Sequence, residues 1–223
     1  MIAALLPVKA FGRSKERLTS YLSPEEREKL ARTMFDDVWA TLLDACNRGD
    51  GLDRVLVISS EPYVLKQCDT AGVSCLEEDQ QISHSASVKR ATEWAIGLGA
   101  SSLLTVPIDT PAATATEILA LAKLRDAFSV VVVPSADGTG TNALLRTPPD
   151  VINPHFGPGS CRLHVAEAQN RKLPVLIYAM SGFAVDIDTP EDLQSFAAIE
   201  IACRTGELAR QFLSLNRGAT VCL

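Results

Sequence analysis

Two aspartates in separate parts of the chain have the chemistry to hold a metal ion. Asp109 follows an apolar run in VPIDTPA, and Asp188 lies in DIDTPEDL. Mg²⁺ in nucleotide sites takes one or two carboxylates together with phosphate oxygens and water. We therefore expect Mg²⁺ as the cofactor, with Asp109 and Asp188 as its ligands. The alternative for each residue is a capping role at the helix that follows, beyond Pro111 or at Pro190.

The spacing of the acids near residue 188 favours the metal. If they lie in a strand, Asp186 and Asp188 point to the same face. Acids paired in this way repel each other unless a cation joins them.

Four cations follow the first apolar run of the chain within a short segment. Ligands of open α/β sheets bind at the carboxyl ends of strands, and lysine and arginine neutralise phosphates there. We expect these cations to act in catalysis on a nucleoside triphosphate and on the pyrophosphate that leaves it; a solvated basic loop is the alternative. The P-loop spacing GxxxxGK[ST] is absent. The four residues are Lys9, Arg13, Lys15 and Arg17.

Two glycine-rich segments, DGTGTNAL at 137–144 and FGPGS at 156–160, suit a second anion pocket. Glycines let backbone N–H groups approach an anion, and Ser160 lies where a helix should begin. Both segments are otherwise ordinary turns.

The three histidines form no recognisable catalytic set. His155 borders the second pocket, where it could touch a substrate carboxylate, but a surface-loop residue is the favoured interpretation. His84 falls in a polar loop and His164 on a helix. Covalent catalysis is therefore not predicted.

Apolar runs alternate with helix signals along the chain. This alternation predicts an α/β fold, a Rossmann-like three-layer αβα sandwich with a mainly parallel sheet. Residues 1–223 are expected to form a single domain with an acceptor-side lobe around 134–182. The predicted strands are 2–6, 55–59, 73–76, 102–106, 130–134 and 175–178; the predicted helices are 24–46, 62–68, 86–98, 114–124 and 161–170, with polar loops at 7–20 and 77–87. A further helix is expected from Pro190, and an apolar helix in 200–223 either closes the core or pairs subunits in a homodimer.

Composition excludes several classes of protein. A formal net charge of −6 argues against general nucleic-acid binding, which needs a broad basic face. No apolar run approaches the length of a membrane span, and the order of apolar and charged residues at the start is the reverse of a signal peptide's. The six scattered cysteines, including Cys222, show no zinc spacing and fit a reducing compartment. We expect a cytoplasmic protein with no nucleic-acid or membrane partner.

Taken together, the motifs resemble a known family. LPVK, KERL, the aspartate of VPIDTPA, DGTGTNAL, FGPGS and DIDTPEDL occur in this order in the 2-phospho-L-lactate guanylyltransferase family, CofC. The resemblance implies the nucleotide-diphospho-sugar transferase fold and a role in coenzyme F420 biosynthesis. It also implies transfer of GMP from GTP to 2-phospho-L-lactate, phosphoenolpyruvate or 3-phospho-D-glycerate, with release of pyrophosphate.

The resemblance also assigns residues. Asp109 and Asp188 match the family's metal ligands, and Thr141, Gly157 and Ser160 match its positions for the phosphorylated acid. The expected nucleotide contacts are Leu6, Pro7, Val8, Lys9, Lys15, Ser85 and Pro107. The chain departs from the family in having Glu16 within the KSRL-like step and residues 84–88 (HSASV) in place of an LNAAL-like run.

Two other functions fit the same residues. One is a related nucleotidyltransferase that acts on a sugar phosphate or on molybdopterin. The other is a non-catalytic nucleotide-binding regulator, since a fold does not fix a function.

Overall fold

The computed structural model describes residues 1–79 and 83–219, without the side chains of residues 216–219. Part of the predicted polar loop, residues 80–82, and the end of the predicted tail helix, residues 220–223 with Cys222, lie outside the described residues. The strands are β1 (Ile2–Val8), β2 (Arg54–Ser59), β3 (Ser74–Glu77), β4 (Ser102–Thr105), β5 (Val130–Pro134), β6 (Thr141–Arg146) and β7 (Val175–Ile177). The helices are α1 (Pro24–Asn47), α2 (Pro62–Ala71), α3 (His84–Gly97), α4 (Ala115–Lys123), α5 (Ser160–Asn170), α6 (Pro190–Ala198) and α7 (Arg204–Ala219).

The strands form one sheet in the order β3-β2-β1-β4-β6-β5-β7. All neighbouring pairs are parallel except those of β6, which runs against both β4 and β5. The predicted mainly parallel α/β sheet is therefore confirmed. Each predicted strand is present, with ends that differ by a few residues.

The two faces of the sheet are covered by different helices. Alternate residues of β1 point to opposite faces, so that Ala4 and Leu6 pack with α1, α2 and α4. Ala3 and Leu5 pack on the other side with α3, and α5 covers β5 and β6 there. Helices on both faces of the sheet make the predicted three-layer sandwich.

Strand β6, within the expected acceptor-side lobe, is not among the predicted strands. The glycines of DGTG indicated turns, and the apolar run that follows is short. In the structure the turns end at Gly140, and Thr141–Arg146 then pairs antiparallel with β4, with Thr105 opposite Leu144. Because β6 runs in reverse, its first residues lie at the edge where the parallel strands end.

The helices that follow Asp109 and Asp188 are capped by hydroxyl side chains and not by these two aspartates. Thr114 caps α4 and Thr189 caps α6, each in a capping box. The capping alternatives for Asp109 and Asp188 are therefore wrong. Residues 185–188, for which a strand was considered, form no strand and pair with no neighbouring strand in the structure.

The described part of the tail packs against its own chain. Leu208, Ala209 and Phe212 of α7 join a second core with α6 and the start of α1. The tail thus closes a core, as one alternative predicted, while a homodimer stays a prediction. Among the described residues, every helix is too short or too polar to cross a membrane.

Candidate functional site

A cavity of about 910 Å³ opens at the edge of the sheet where β1 and β4 end. It brings together residues that are far apart in the sequence. The predicted site residues that line it are Pro7, Lys9, Arg13, Lys15, Arg17, Pro107, Asp109, Thr141, Gly157, Ser160 and Asp188.

Apolar anchors hold the basic segment against the cavity. Phe11 is buried against Phe35, with ring centroids 6.1 Å apart, and its N–H donates to the Glu61 carboxylate at 3.0 Å. Leu18 is buried in the second core. Between these anchors the predicted loop makes two 3-10 turns, Phe11–Arg13 and Glu16–Leu18. Lys9, Arg13 and Arg17 stay exposed along the cavity wall.

Lys15 differs from the other three cations because it is buried. Its backbone adopts the left-handed conformation, with φ 57°, which is uncommon for a residue other than glycine. Its side chain is 3 % exposed, and its ammonium donates hydrogen bonds to Asp109 and, at 3.0 Å, to Asp188. The two predicted metal ligands therefore converge on one cation of the protein itself.

The ionisation states of Lys15, Asp109 and Asp188 depend on each other. Burial opposes a charge on Lys15, but Asp109 and Asp188 outweigh it and raise the pKa of the ammonium. Burial likewise opposes a charge on Asp109, yet Lys15, with smaller contributions from His84 and Lys9, holds the pKa of this carboxyl below its ordinary value. Both groups are ionised at neutral pH.

The carboxylates of Asp109 and Asp188 are suited to a divalent cation that phosphate oxygens bind at the same time. Asp109 and Asp188 already meet around one positive charge, and Mg²⁺ needs only one or two carboxylates when phosphate oxygens and water supply the rest. Within the described ranges no three His, Cys, Asp or Glu residues group as a metal site. These two carboxylates therefore suit a metal that arrives with a nucleotide, not a metal held by protein ligands alone.

A third acid, Asp186, borders the same cavity. Burial raises its pKa, and the neighbouring Asp188 and Asp109 add to the effect, against a hydrogen bond from Asn142. The side-chain amide of Asn142 also donates to the backbone oxygen of Phe183 at 2.7 Å. Asn142 is a site residue that the sequence reasoning did not single out, although it lies inside the quoted motif DGTGTNAL.

The residues predicted for an acceptor line the same cavity. Thr141 begins β6, and Ser160 is the first residue of α5, preceded by Gly159 with φ 70°. No side chain caps α5. The N–H groups of Ser160 and Cys161 donate to the backbone oxygens of Gly157 and Thr139, at 3.1 and 3.2 Å. The positive end of the helix dipole therefore makes this end of α5 favourable for an anion.

His84 is the second site residue that the sequence reasoning did not assign. It is the first residue of α3, not part of the preceding loop, and its ring meets Phe156 edge to face at 4.8 Å on the cavity wall. Burial lowers the pKa of His84 to about 4, so the ring is neutral at neutral pH. The adjacent Ser85 donates to the Phe156 carbonyl at 3.1 Å and does not line the cavity.

Two further predicted nucleotide contacts flank Pro7 and do not themselves line the cavity. Leu6 and Val8 are buried in the main core, where their side chains support β1. His155, expected in a surface loop, is half-buried and forms a hydrogen bond of 2.5 Å with Glu167.

Comparison with known proteins adds three findings. The family model described as guanylyl transferase CofC like matches residues 2–214. The phosphoenolpyruvate guanylyltransferase of Conexibacter woesei is 36 % identical over 217 residues, which cover 96 % of this chain and 95 % of that protein. The 2-phospho-L-lactate guanylyltransferase of Methanocaldococcus infernus is 30 % identical, covering 85 % of this chain and 81 % of that protein.

A solved structure shows the fold. The putative nucleotide-diphospho-sugar transferase of Desulfovibrio desulfuricans G20 superposes with a TM-score of 0.77 at 17 % identity, covering 97 % of each chain. The fold expected from the sequence is thereby confirmed.

Proposed function

The chain belongs to the CofC-like guanylyl transferase family, and from this premise we propose that it transfers GMP from GTP to a small phosphorylated acid and releases pyrophosphate. The candidate acceptors are phosphoenolpyruvate, 2-phospho-L-lactate and 3-phospho-D-glycerate.

The observation that carries the proposal is one cavity that holds two sets of groups suited to anions. Lys9, Arg13 and Arg17 line it together with the cluster of Lys15 and its two aspartates. Thr141 and Ser160 line the same cavity. A transferase with two anionic substrates needs such an arrangement, because each substrate requires its own donors while their reacting atoms meet.

The reaction needs no base from the protein. The second pKa of a phosphate monoester is near 6, so the acceptor phosphate is largely dianionic at neutral pH. One of its oxygens forms a bond to the α-phosphorus of GTP. The bond from that phosphorus to the oxygen bridging the β-phosphate breaks, and the electron pair leaves with pyrophosphate.

The protein contributes by positioning and by compensating charge. Negative charge accumulates on the departing pyrophosphate, and the exposed Lys9, Arg13 and Arg17 are placed to offset it. Lys15 holds Asp109 and Asp188 together and reduces their repulsion of the incoming triphosphate.

Mg²⁺ is proposed as the cofactor, with Asp109 and Asp188 as its protein ligands. When bound, Mg²⁺ supplies positive charge to the phosphate oxygens around the α-phosphorus. The convergence of both carboxylates on one point supports this assignment.

The biological setting is proposed from the family. Joining GMP to a phosphorylated acid makes an activated diphosphate, and we propose that this product serves coenzyme F420 biosynthesis in the cytoplasm. No nucleic-acid or membrane partner is proposed.

The test combines the purified protein with Mg²⁺, GTP and each of the three acids separately. Release of pyrophosphate and the mass of the guanylylated acid are measured, with a sugar phosphate and CTP as control substrates. Product with one of the acids supports the proposal. Turnover of the sugar phosphate alone, or none with any acceptor, would overturn it.

A further inference from the structure

A buried histidine joins the two segments that carry the predicted acceptor residues of the cavity. His164 lies on α5 and is 0 % exposed. Its Nδ1 is 3.1 Å from Oγ1 of Thr141, and its Nε2 is 2.8 Å from the backbone nitrogen of His155. One imidazole thus connects the start of β6 with the turn that leads to Gly157.

The partners of His164 determine which ring nitrogen carries hydrogen. The backbone N–H of His155 can only donate, so Nε2 of His164 accepts through its lone pair. A neutral imidazole has one N–H group, which is then at Nδ1. Nδ1–H therefore donates to Oγ1 of Thr141.

The direction of this hydrogen bond limits where the Thr141 hydroxyl can donate its own hydrogen. Because its oxygen accepts from His164, its own hydrogen must point elsewhere. Among residues 1–79 and 83–219, Oγ1 of Thr141 has no second hydrogen-bond partner. Because Thr141 lines the cavity, its hydroxyl is placed to donate to a ligand there.

We infer that His164 is a positioning residue that turns the Thr141 hydroxyl hydrogen into the cavity, where it donates to an anionic oxygen of the acceptor acid. This inference rests on the proposed function. A hydroxyl is both donor and acceptor, and an anion requires the donor. Because the hydroxyl oxygen accepts from His164, the hydroxyl does not donate its hydrogen to this side chain.

The electrostatics of the buried ring support a fixed tautomer. Burial, together with His155 and Arg146, lowers the pKa of His164 to about 3, and Glu167 opposes this shift only weakly. The ring is therefore neutral across the physiological range. A second proton on Nε2 would face the N–H of His155.

Two substitutions separate the contacts of His164. In His164→Asn, the amide nitrogen can take the place of Nδ1 and keep the donor to Thr141. In His164→Gln, the amide oxygen can reach the place of Nε2 and keep the acceptor for His155, but the donor is lost. We expect His164→Gln to raise the KM for phosphoenolpyruvate roughly 10-fold, the cost of one hydrogen bond to a charged group, with kcat and the KM for GTP within about 2-fold. His164→Asn should lie closer to wild type.

A role limited to holding the turn at residue 155 gives the opposite order. In that case His164→Asn would be the more damaging change, and the KM for GTP and the melting temperature would shift with it. This result would overturn the inference.

A double-mutant cycle tests whether His164 acts through the hydroxyl. Thr141→Val removes the hydroxyl at nearly constant shape and should also raise the KM for phosphoenolpyruvate, whereas Thr141→Ser should not. With valine at residue 141, adding His164→Gln should change this KM no further. Independent, multiplying effects would refute the inference.

Two measurements do not need turnover. Nitrogen-15 NMR of labelled imidazoles should show hydrogen on Nδ1 of His164 from about pH 5 to pH 8. Calorimetric titration of phosphoenolpyruvate should show weaker binding to Thr141→Val and His164→Gln than to wild type. Absence of pyrophosphate release by the wild-type protein would count against the proposed function, whereas hydrogen on Nε2, or equal binding by all three proteins, would count against the role of His164.

Discussion

The ammonium of Lys15 donates a 3.0 Å hydrogen bond to the carboxylate of Asp188, a residue 173 positions later in the chain. The same ammonium contacts Asp109. The segments after β1, after β4 and before α6 therefore meet at one buried charge. Since an unpaired buried charge is costly, the closure of these segments and the electrostatics of the cavity depend on each other.

Asp109→Asn should reduce turnover at least 100-fold, because a neutral amide is a poor Mg²⁺ ligand and leaves Lys15 with one carboxylate. Circular dichroism should show a retained fold with a lower melting temperature. Asp44→Asn is the matched control, since among the described residues the exposed Asp44 carboxylate pairs with Arg48 alone, at the end of α1. Full activity of Asp109→Asn would remove this residue from the mechanism.

The pair of Lys15 and Asp109 should stabilise the protein evenly across neutral pH. The pKa of Asp109 is lowered, so its contribution is present above the ordinary value of 3.8 and is lost as pH falls through the lower folded-state pKa. The pKa of Lys15 is raised, so its contribution is complete below 10.5 and is lost as pH rises through the higher folded-state pKa.

Denaturant unfolding measures this effect. Because burial would raise the pKa of Asp109 in a protein that lacks Lys15, the comparison removes both groups. The difference in unfolding free energy between wild type and the double variant Lys15→Met with Asp109→Asn should be constant from about pH 5 to about pH 9 and change outside that window. A marked change of this difference between about pH 5 and about pH 7 would contradict the assignment of both groups as ionised.

How far the sequence predicts this site depends on the kind of contact involved. Asp109 and the basic segment follow apolar runs, so the shared carboxyl edge of a parallel sheet was enough to bring them together. The left-handed backbone of Lys15 was not predictable, because it is uncommon outside glycine. Strand β6 was missed because its pairing with β4 and β5 is a long-range contact that local turn signals conceal. The contact of His164 with Thr141 has the same long-range character.

Asp186→Asn should raise the melting temperature. Burial, with the nearby Asp188 and Asp109, raises the pKa of Asp186, which means that the folded protein disfavours its charge at neutral pH. Asparagine removes the charge and can still accept from Asn142. We expect a rise of about 1–2 °C at pH 7 that disappears as pH falls and Asp186 itself becomes neutral.

Calorimetry at pH 7 and at about pH 4 provides this comparison, with Mg²⁺ titration as a second measurement. Unchanged Mg²⁺ dependence of turnover in Asp186→Asn would show that Asp186 is not a metal ligand. A lower melting temperature at pH 7 would contradict the expected repulsion.

Arg17→Ala should raise the KM for GTP with little change in the KM for the acceptor. Arg17 is exposed on the cavity wall and forms no ion pair with any described residue, so its charge is free for phosphate. Salt screens such a charge, and the effect should shrink as ionic strength rises. Steady-state kinetics at low and high salt measure it, with the exposed Lys29→Ala on α1 as control. Equal effects of both substitutions would show that only the overall charge matters.

Gly182 lets the segment that carries Asp186 and Asp188 approach α4. Its N–H donates to the Glu117 carboxylate at 2.8 Å, and a Cβ added there would lie 2.9 Å from the backbone oxygen of Ala112. A backbone oxygen cannot move out of the way by a bond rotation, as the end of a side chain can. Gly182→Ala should therefore lower the free energy of unfolding by about 1–3 kcal/mol, as overpacking does elsewhere.

Because the displaced segment carries Asp188, activity should fall as well. Gly97→Ala is the matched control, since an added Cβ at the end of α3 meets no atom within 4 Å. Thermal unfolding and kcat measured on both variants separate the effects. If Gly182→Ala keeps wild-type stability and loses activity, the contact with α4 serves to place Asp188; if it keeps both, the close approach has no energetic importance and the segment adapts by moving.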